Sequence, residues 1–475
     1  MYTSYRMKTT LLLCIVTLCC SLQLRAQQFA LYNTGTLYDS FENPSQKAFQ
    51  TDSSRKFAFN FFIPTLGLNY VANGDALPTL RKALYTGKYD TRDLILNYDN
   101  LNKVAVSQNA YMFMFRIFHT VTYQKELGFS WQVKTENYGE ATNPALIVLQ
   151  DYQRIVDDLE SNGRENDNIF NSDIYGQSYH QFSLTYRENY NKQFAYGVKL
   201  SYLSGIAYSK LKVFSSRLEF NPDSGFYEVK LNSDMRTNFY YDDIEKKMFL
   251  PGIKNPGLAI GLSANYKSRQ GWYFLANLKD LGFIRWSKKS YRYRDEHFSI
   301  NANSVDDSLW HDIKGKLRQS GYTTPINGKA EVLINKDLGN YQPNLLLSKN
   351  LFYEGGDIAL VNTYRYRSLN LSLSTAYNLH NTFLVGGQIM IKSPNVEFFL
   401  GTDQLFKSLD AKKALENSDP TLAHGHLGGS AYFGFALKFG RLMSRRENTN
   451  YIPGINFKTK NSSGILNRIF GNRDF

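Results

Sequence analysis

Along much of the chain, apolar residues alternate with small or polar ones at period two. Leu258, Ile260, Leu262, Ala264 and Tyr266 fall on one side of such a segment, and Ala259, Gly261, Ser263, Asn265 and Lys267 on the other. Ala431, Phe433, Phe435, Leu437 and Phe439 alternate in the same way with Tyr432, Gly434, Ala436, Lys438 and Gly440. Successive strand side chains point to opposite faces, so each segment has one greasy and one polar face. That suits a barrel wall between lipid and an aqueous or filled lumen. A soluble β-sandwich, which also buries one face, is the competing fold.

The pattern begins at Lys56 with Phe57, Phe59, Phe61 and Ile63, and a short strand follows over 66–71. It continues in hairpins near 111–133, 182–202 and 258–279, with weaker strands at 211–220 and 225–238. Further strands are expected near 329–336, 344–352, 358–366, 369–377, 383–391, 395–402 and 430–440. Helical spacing interrupts the series at Leu77–Leu84, at Pro144–Leu159 with Asn143 as cap, at 306–319 and at Leu409–Leu415. Counting back from the last strand puts short turns on one side and these inserts on the other, where outer loops belong. The prediction is all-β: an antiparallel transmembrane β-barrel of about 14 strands, within about 12–18, with short helices in long outer loops.

Residues 1–26 read as a signal peptide. Arg6 and Lys8 precede the apolar run from Leu11, and Ala26 offers a small residue before Gln27. Cys14, Cys19 and Cys20 all lie in this segment, so the remainder has no disulfide, thiolate nucleophile or cysteine-bound metal. The net charge of +13 invites a nucleic-acid reading. The basic residues are scattered and the chain is read as exported, so anionic lipid headgroups are the better functional match, with a generally basic proteome as the equal, plainer alternative. The 34 Tyr and 33 Phe are what aromatic girdles at two membrane interfaces require. No segment beyond the signal has the length and apolarity of a transmembrane helix.

Motifs that carry chemistry are few. The chain has no phosphate-binding loop, no H-E-x-x-H and no EF-hand loop, and Gly428-Gly429-Ser430-Ala431-Tyr432 lacks the last glycine of a nucleophile elbow. His424-Gly425-His426 is the best metal candidate, but it sits in a glycine-rich loop without a third ligand. Asp306-Asp307 read as charges at a helix start. His119, His180 and His380 are not tied to a serine and an orienting acid. No catalytic, cofactor or metal residues are therefore assigned, and no cofactor is expected.

At Asn43-Pro44-Ser45, Asn255-Pro256-Gly257-Leu258, Asp280-Leu281-Gly282-Phe283-Ile284-Arg285-Trp286 and Ile391-Lys392-Ser393-Pro394-Asn395 the chain resembles a Bacteroidota-type family of exported proteins of unknown function (domain of unknown function 5723). The resemblance runs over nearly the whole mature chain and implies an outer-membrane barrel. More distantly the layout is similar to long-chain fatty-acid transporter barrels and to the shuttle barrels of type IX secretion. The expected organisation is a signal peptide at 1–26, a hatch-like segment at 27–53, a barrel at 54–443 and a basic periplasmic tail at 444–475. Ser183, Lys199, Ser263, Asn265, Ser372, Ser374, Gln388 and Lys438 are expected to face the lumen. The first functional reading is an outer-membrane barrel that passes or binds a hydrophobic or small solute. The second is a barrel scaffold that docks a surface or secreted protein. Expected partners are outer-membrane lipid and lipopolysaccharide, a hydrophobic solute and a surface protein, with no nucleic acid.

Overall fold

A computed structural model describes residues 28–49, 55–97, 100–120, 124–148, 150–151, 153–162, 167–221, 226–239, 246–301, 317–378 and 382–441. The expected signal peptide, the tail at 444–475 and most of the expected helix at 306–319 lie outside them.

The wall opens with β1 (Arg55–Phe59) and β2 (Thr65–Asn73), two pieces of one interrupted strand. Both pair with β3 (Leu101–Thr120) on one side and with the last strand, β19 (Leu427–Arg441), on the other, which closes the sheet. β4 (Lys125–Thr142), β5 (Ser172–Asn189) and β6 (Phe194–Asn221) continue as a meander. β6 outruns the wall. Its first half pairs with β8 (Pro256–Lys267), while its second half pairs with β7 (Phe226–Thr237). β7 in turn pairs with β10 (Tyr291–Asn301), and β10 with β11 (Arg318–Gln319), a flap standing off the barrel end. Within the wall β8 leads to β9 (Trp272–Arg285), then to β12 (Thr323–Pro325) and β13 (Lys329–Lys336), which share its far edge. β14 (Tyr341–Asn350), β15 (Gly356–Tyr366), β16 (Leu369–Asn378), β17 (Thr382–Lys392) and β18 (Val396–Thr402) complete the circuit to β19.

The result is a closed antiparallel barrel of 14 wall strands. The larger number of alternating segments in the sequence reflects the flap and the interrupted strands. Residues 211–220, expected as a separate strand, are the extension of β6, and Arg318–Gln319, expected at the end of a helix, pair as a strand.

α1 (Asp39–Glu42) lies inside the barrel, and the remaining helices gather at one end. α2 (Leu77–Thr86) joins β2 to β3, and Gly87 ends it in the left-handed region at φ 68°, donating its amide to Ala83 O. α3 (Asn143–Ile147) and α4 (Gln153–Asn162) join β4 to β5. Thr142, not Asn143, caps α3, accepting from the Ala145 amide. α5 (Leu405–Asn417) joins β18 to β19 and is longer at both ends than the expected 409–415. At the opposite end the strands meet in short turns, such as 267–272, 366–369 and 392–396. No described helix has the length and apolarity to cross a membrane, which says nothing of the strands.

The two faces of the wall differ as the alternation requires. On β16, Leu369, Leu371 and Leu373 are exposed, whereas Asn370, Ser372 and Ser374 are buried. On β8, Leu258, Ile260, Leu262 and Tyr266 are exposed, whereas Ala259 and Ser263 are buried. Five outward positions span about 26 Å of strand, or about 20 Å along the axis at a ~40° tilt. That approaches the ~25 Å apolar band of transmembrane barrels.

Candidate functional site: the sealed lumen

Residues 28–49 lie inside the barrel, and most are fully buried. The segment consists of a 3-10 turn at Phe29–Leu31, a one-turn helix α1 (Asp39–Glu42), and the stretch Asn43-Pro44-Ser45. Its apolar residues Leu31, Leu37, Phe41 and Phe49 pack with Tyr111, Met114, Met390, Phe399 and Tyr432 of the wall. Asp39 organises the segment from within: its carboxylate accepts the Thr34 and Gly35 amides, each at 2.9 Å, and the Asn43 side chain at 2.7 Å. Burial pushes the Asp39 carboxyl up to about 6, against those hydrogen bonds.

Three charged clusters fasten this plug to different sides of the wall. In the first, Glu42 meets Lys279 of β9 and accepts from Tyr111 Oη at 2.7 Å and Asn109 Nδ2 at 3.2 Å. Lys279 also lies 3.8 Å from Glu331 of β13, which accepts from Tyr32 Oη at 2.6 Å. Beside it Asp280 pairs with Lys134 and, at 3.4 Å, with Lys199. Neighbouring strand residues normally face opposite ways. Here the β8–β9 register shifts between Ile260 and Leu262, and Asp280 takes φ 53°, so Lys279 and Asp280 both turn inward. In the second cluster, Arg116 and Glu126 form a fully buried pair at 3.0 Å. Glu126 accepts the Ala48 amide at 3.0 Å, and Arg116 donates to Ser40 O at 2.6 Å. In the third, Glu397 pairs with Lys438 and accepts the Leu37 amide at 2.8 Å.

Further hydrogen bonds close the circle. Arg187 Nε donates to Ser45 O at 2.7 Å, and Lys392 Nζ donates to Thr34 O. The amides of Gln28 and Phe29 donate to Asp403, whose carboxyl burial raises to about 7. Gly197 lies against the plug because a Cβ there would come within 2.2 Å of the Pro44 carbonyl carbon. Beside the plug a cavity of ≈ 40 Å³ remains, lined among others by Tyr38, Glu42, Lys134, Lys279 and Asp280. That holds a few waters and no larger solute.

The eight residues expected to face the lumen are placed as follows. Ser263 Oγ accepts the Ser45 amide at 2.9 Å, and Asn265 Nδ2 donates to Ser45 O at 2.8 Å. Gln388 Nε2 donates to Ala30 O at 3.1 Å, so these three contact the plug. Lys199 and Lys438 pair with Asp280 and Glu397. Ser183 shares a hydrogen bond with Ser201 at 2.9 Å, and Ser372 one with Thr363 at 2.9 Å. Ser374 is buried beside Gly386. Sequence reading missed Arg116, Glu126, Arg187, Glu331 and Glu397. Their signal was a charge at the inward position of a strand, as with Glu397 between Val396 and Phe398.

The histidines do not form a site. His424 O accepts from Lys407, and His426 is half-buried, its ring pushed down to about 4 by burial and by Lys407 and Arg81. No group of three metal-ligating side chains occurs among the described residues. His180 is engaged by Trp131 Nε1 at 3.2 Å and by Phe249 O at 2.9 Å. His119 is exposed on β3, and His380 lies outside the described residues.

With this architecture in view, the chain belongs to a family of unknown function, DUF5723, whose model matches residues 48–403. No curated protein matches it. Among solved structures it is similar to the TodX deltaS2S3 mutant monoaromatic hydrocarbon channel, with a TM-score of 0.42, 8% identity, and coverage of 88% of this chain and 96% of that one. It is similar also to the toluene transporter TbuX of Ralstonia pickettii, with a TM-score of 0.39, 9% identity, and coverage of 85% and 94%. A FadL homologue of Pseudomonas aeruginosa gives a TM-score of 0.38 and 10% identity, with coverage of 84% and 91%.

Proposed function

We propose that this protein is an integral outer-membrane β-barrel, sealed at rest by residues 28–49, that passes or binds a small solute when this plug shifts. The observation that carries the reading is an apolar outer belt around a lumen whose wall bonds on many sides to one short segment. Because this segment is not one of the wall's strands, it can shift without breaking the strand pairing that closes the barrel, which a regulated passage requires. The wall around the seal carries Gln132, Gln181, Ser183, Ser201 and Asn277, all buried, which favours a solute with hydrogen-bonding groups over a purely hydrophobic one. The closed lumen also supports a second reading, a non-transporting scaffold whose helical end docks a surface protein.

A reversible lock separates the two. The only native cysteines lie at 14, 19 and 20, so Ser45→Cys with Ser263→Cys would add one cysteine pair where the two serine hydroxyls already meet. Passage that stops on oxidation and returns on reduction, in reconstituted vesicles, is expected of a moving plug. Solute flux unchanged by the bridge rejects plug movement. No flux in either state, with one stoichiometric partner cross-linked at the helical end, establishes the scaffold.

A further inference from the structure

One sector of the outer wall combines two features that the sealed lumen does not use. At the helical end of β8, β9 and β12 lies a pocket of ≈ 970 Å³ whose rim carries Lys254, Arg285 and Lys288 above the buried Trp286. Among the described residues no carboxylate pairs with these three cations. Ile253, which lines the pocket, is 88% exposed, as residues set at a lipid interface are. Lower on the same strands the apolar belt dips into a groove of ≈ 770 Å³ walled by Leu262, Leu278, Val332 and Leu347. Its floor is low because Ala264 and Ala276 face each other across β8 and β9. Leu278 lies seven residues from Arg285, about 23 Å of strand and about 18 Å along the axis, close to the ~15 Å depth of one hydrocarbon leaflet.

We infer that this sector binds a phosphorylated glycolipid of the outer leaflet, of the lipid A type. Its phosphates meet Lys254, Arg285 and Lys288, and an acyl chain lies along the groove over Ala264 and Ala276. Charge selects the headgroup, because three unpaired cations at the edge of an apolar belt attract phosphate where water is scarce. The groove selects lipid over a free anion, because an acyl chain there covers apolar surface that a flat wall leaves to bulk lipid. The inference rests on the outer-membrane reading above.

The test is native mass spectrometry of the full-length protein in detergent with purified bis-phosphorylated lipid A. Three comparisons are made: enzymatically dephosphorylated lipid A, millimolar inorganic phosphate as competitor, and the variants K254Q/R285Q/K288Q, R285Q alone and A276W. Retention of lipid A is expected to fall about tenfold or more on dephosphorylation and in the triple variant. R285Q and A276W are expected to weaken it in part, and phosphate not to compete. Equal retention of the dephosphorylated lipid overturns the inference, as does displacement by phosphate, which marks a free-anion site. Variant folding is read from the difference in gel mobility between unheated and boiled samples. A wild-type chain that lacks this difference refutes the membrane reading, a result distinct from failure of the lipid site alone.

Discussion

Arg116 and Glu126 are both fully buried, so neither charge can regain water when the other is lost. Replacing Arg116 with Met leaves Glu126 only the more distant Arg187 guanidinium at 4.0 Å, so the loss should be ~3 kcal/mol, at the low end of the penalty for breaking a buried ion pair. The temperature at which an unheated gel band converts to the boiled mobility is the measurement, and a midpoint unchanged from wild type would falsify the pairing. Glu42→Gln should be milder, because Lys279 keeps Glu331 and the amide still accepts from Tyr111. Asp39 makes a pH prediction. Its folded value, about 6, lies above the ordinary carboxyl value of 3.8, so between these values the folded state holds the proton more tightly than the unfolded chain. Its contribution is therefore greatest below pH ~4, falls as pH rises toward 6 and is flat beyond. Asp403, raised to about 7, acts in the same direction and extends the decline. Thermal midpoints across pH 4–7 should fall less steeply in Asp39→Asn than in wild type. Parallel slopes would show that Asp39 is not the group responsible.

At the scale of elements, alternation identified most of the wall strands but not the places where it breaks, and those breaks shape the interior. The inward turn of both Lys279 and Asp280 depends on a bulge set by pairing with β8, a partner distant from β13 and α1, whose charges it meets. The interruption between β1 and β2 is another such place. Phe61 and Phe62 stand out of the wall at φ 51° and 58°, and Asn60, fully buried, spans the gap. Its Oδ1 accepts the Met114 amide at 3.0 Å, and its Nδ2 donates to Ile63 O at 3.0 Å. Asn60→Ala leaves the buried Met114 amide without this acceptor, so a loss of ~1–3 kcal/mol is expected. Faster hydrogen exchange at 112–114, with distant strands unaffected, is the local sign to seek. At Gly197 the constraint is steric. Gly197→Leu should push Pro44 off the wall and raise protease cleavage within 28–49 in otherwise folded protein. Cleavage no faster than in wild type would place the plug elsewhere.

For the whole molecule the governing feature is closure: β19 meets β1 and β2, so that the sheet formed by the described strands closes on itself. Such a barrel should resist extraction with carbonate and migrate faster on gels before boiling than after. A chain released by carbonate with a single mobility would instead be a soluble β-fold.

The sequence by itself determined which face of most wall strands is apolar and where α2, α3, α4 and α5 interrupt them, because a strand's face depends only on residue parity; it favoured a barrel of about 14 strands over a sandwich, and closure of the sheet decided between them. It also marked Asn43-Pro44-Ser45, Asp280 and Lys392 within the four stretches that carried the family resemblance, without showing that they meet at the plug. That meeting, and the roles of Glu126, Glu331 and Glu397, were decided only by the tertiary structure. Burying a charge is tolerable only beside its counter-charge. Arg116 and Glu126 meet across the β3–β4 hairpin, but the plug amides that Glu126 and Glu397 hold lie 78 and 360 residues away in the chain, and only the folded barrel brings them within reach.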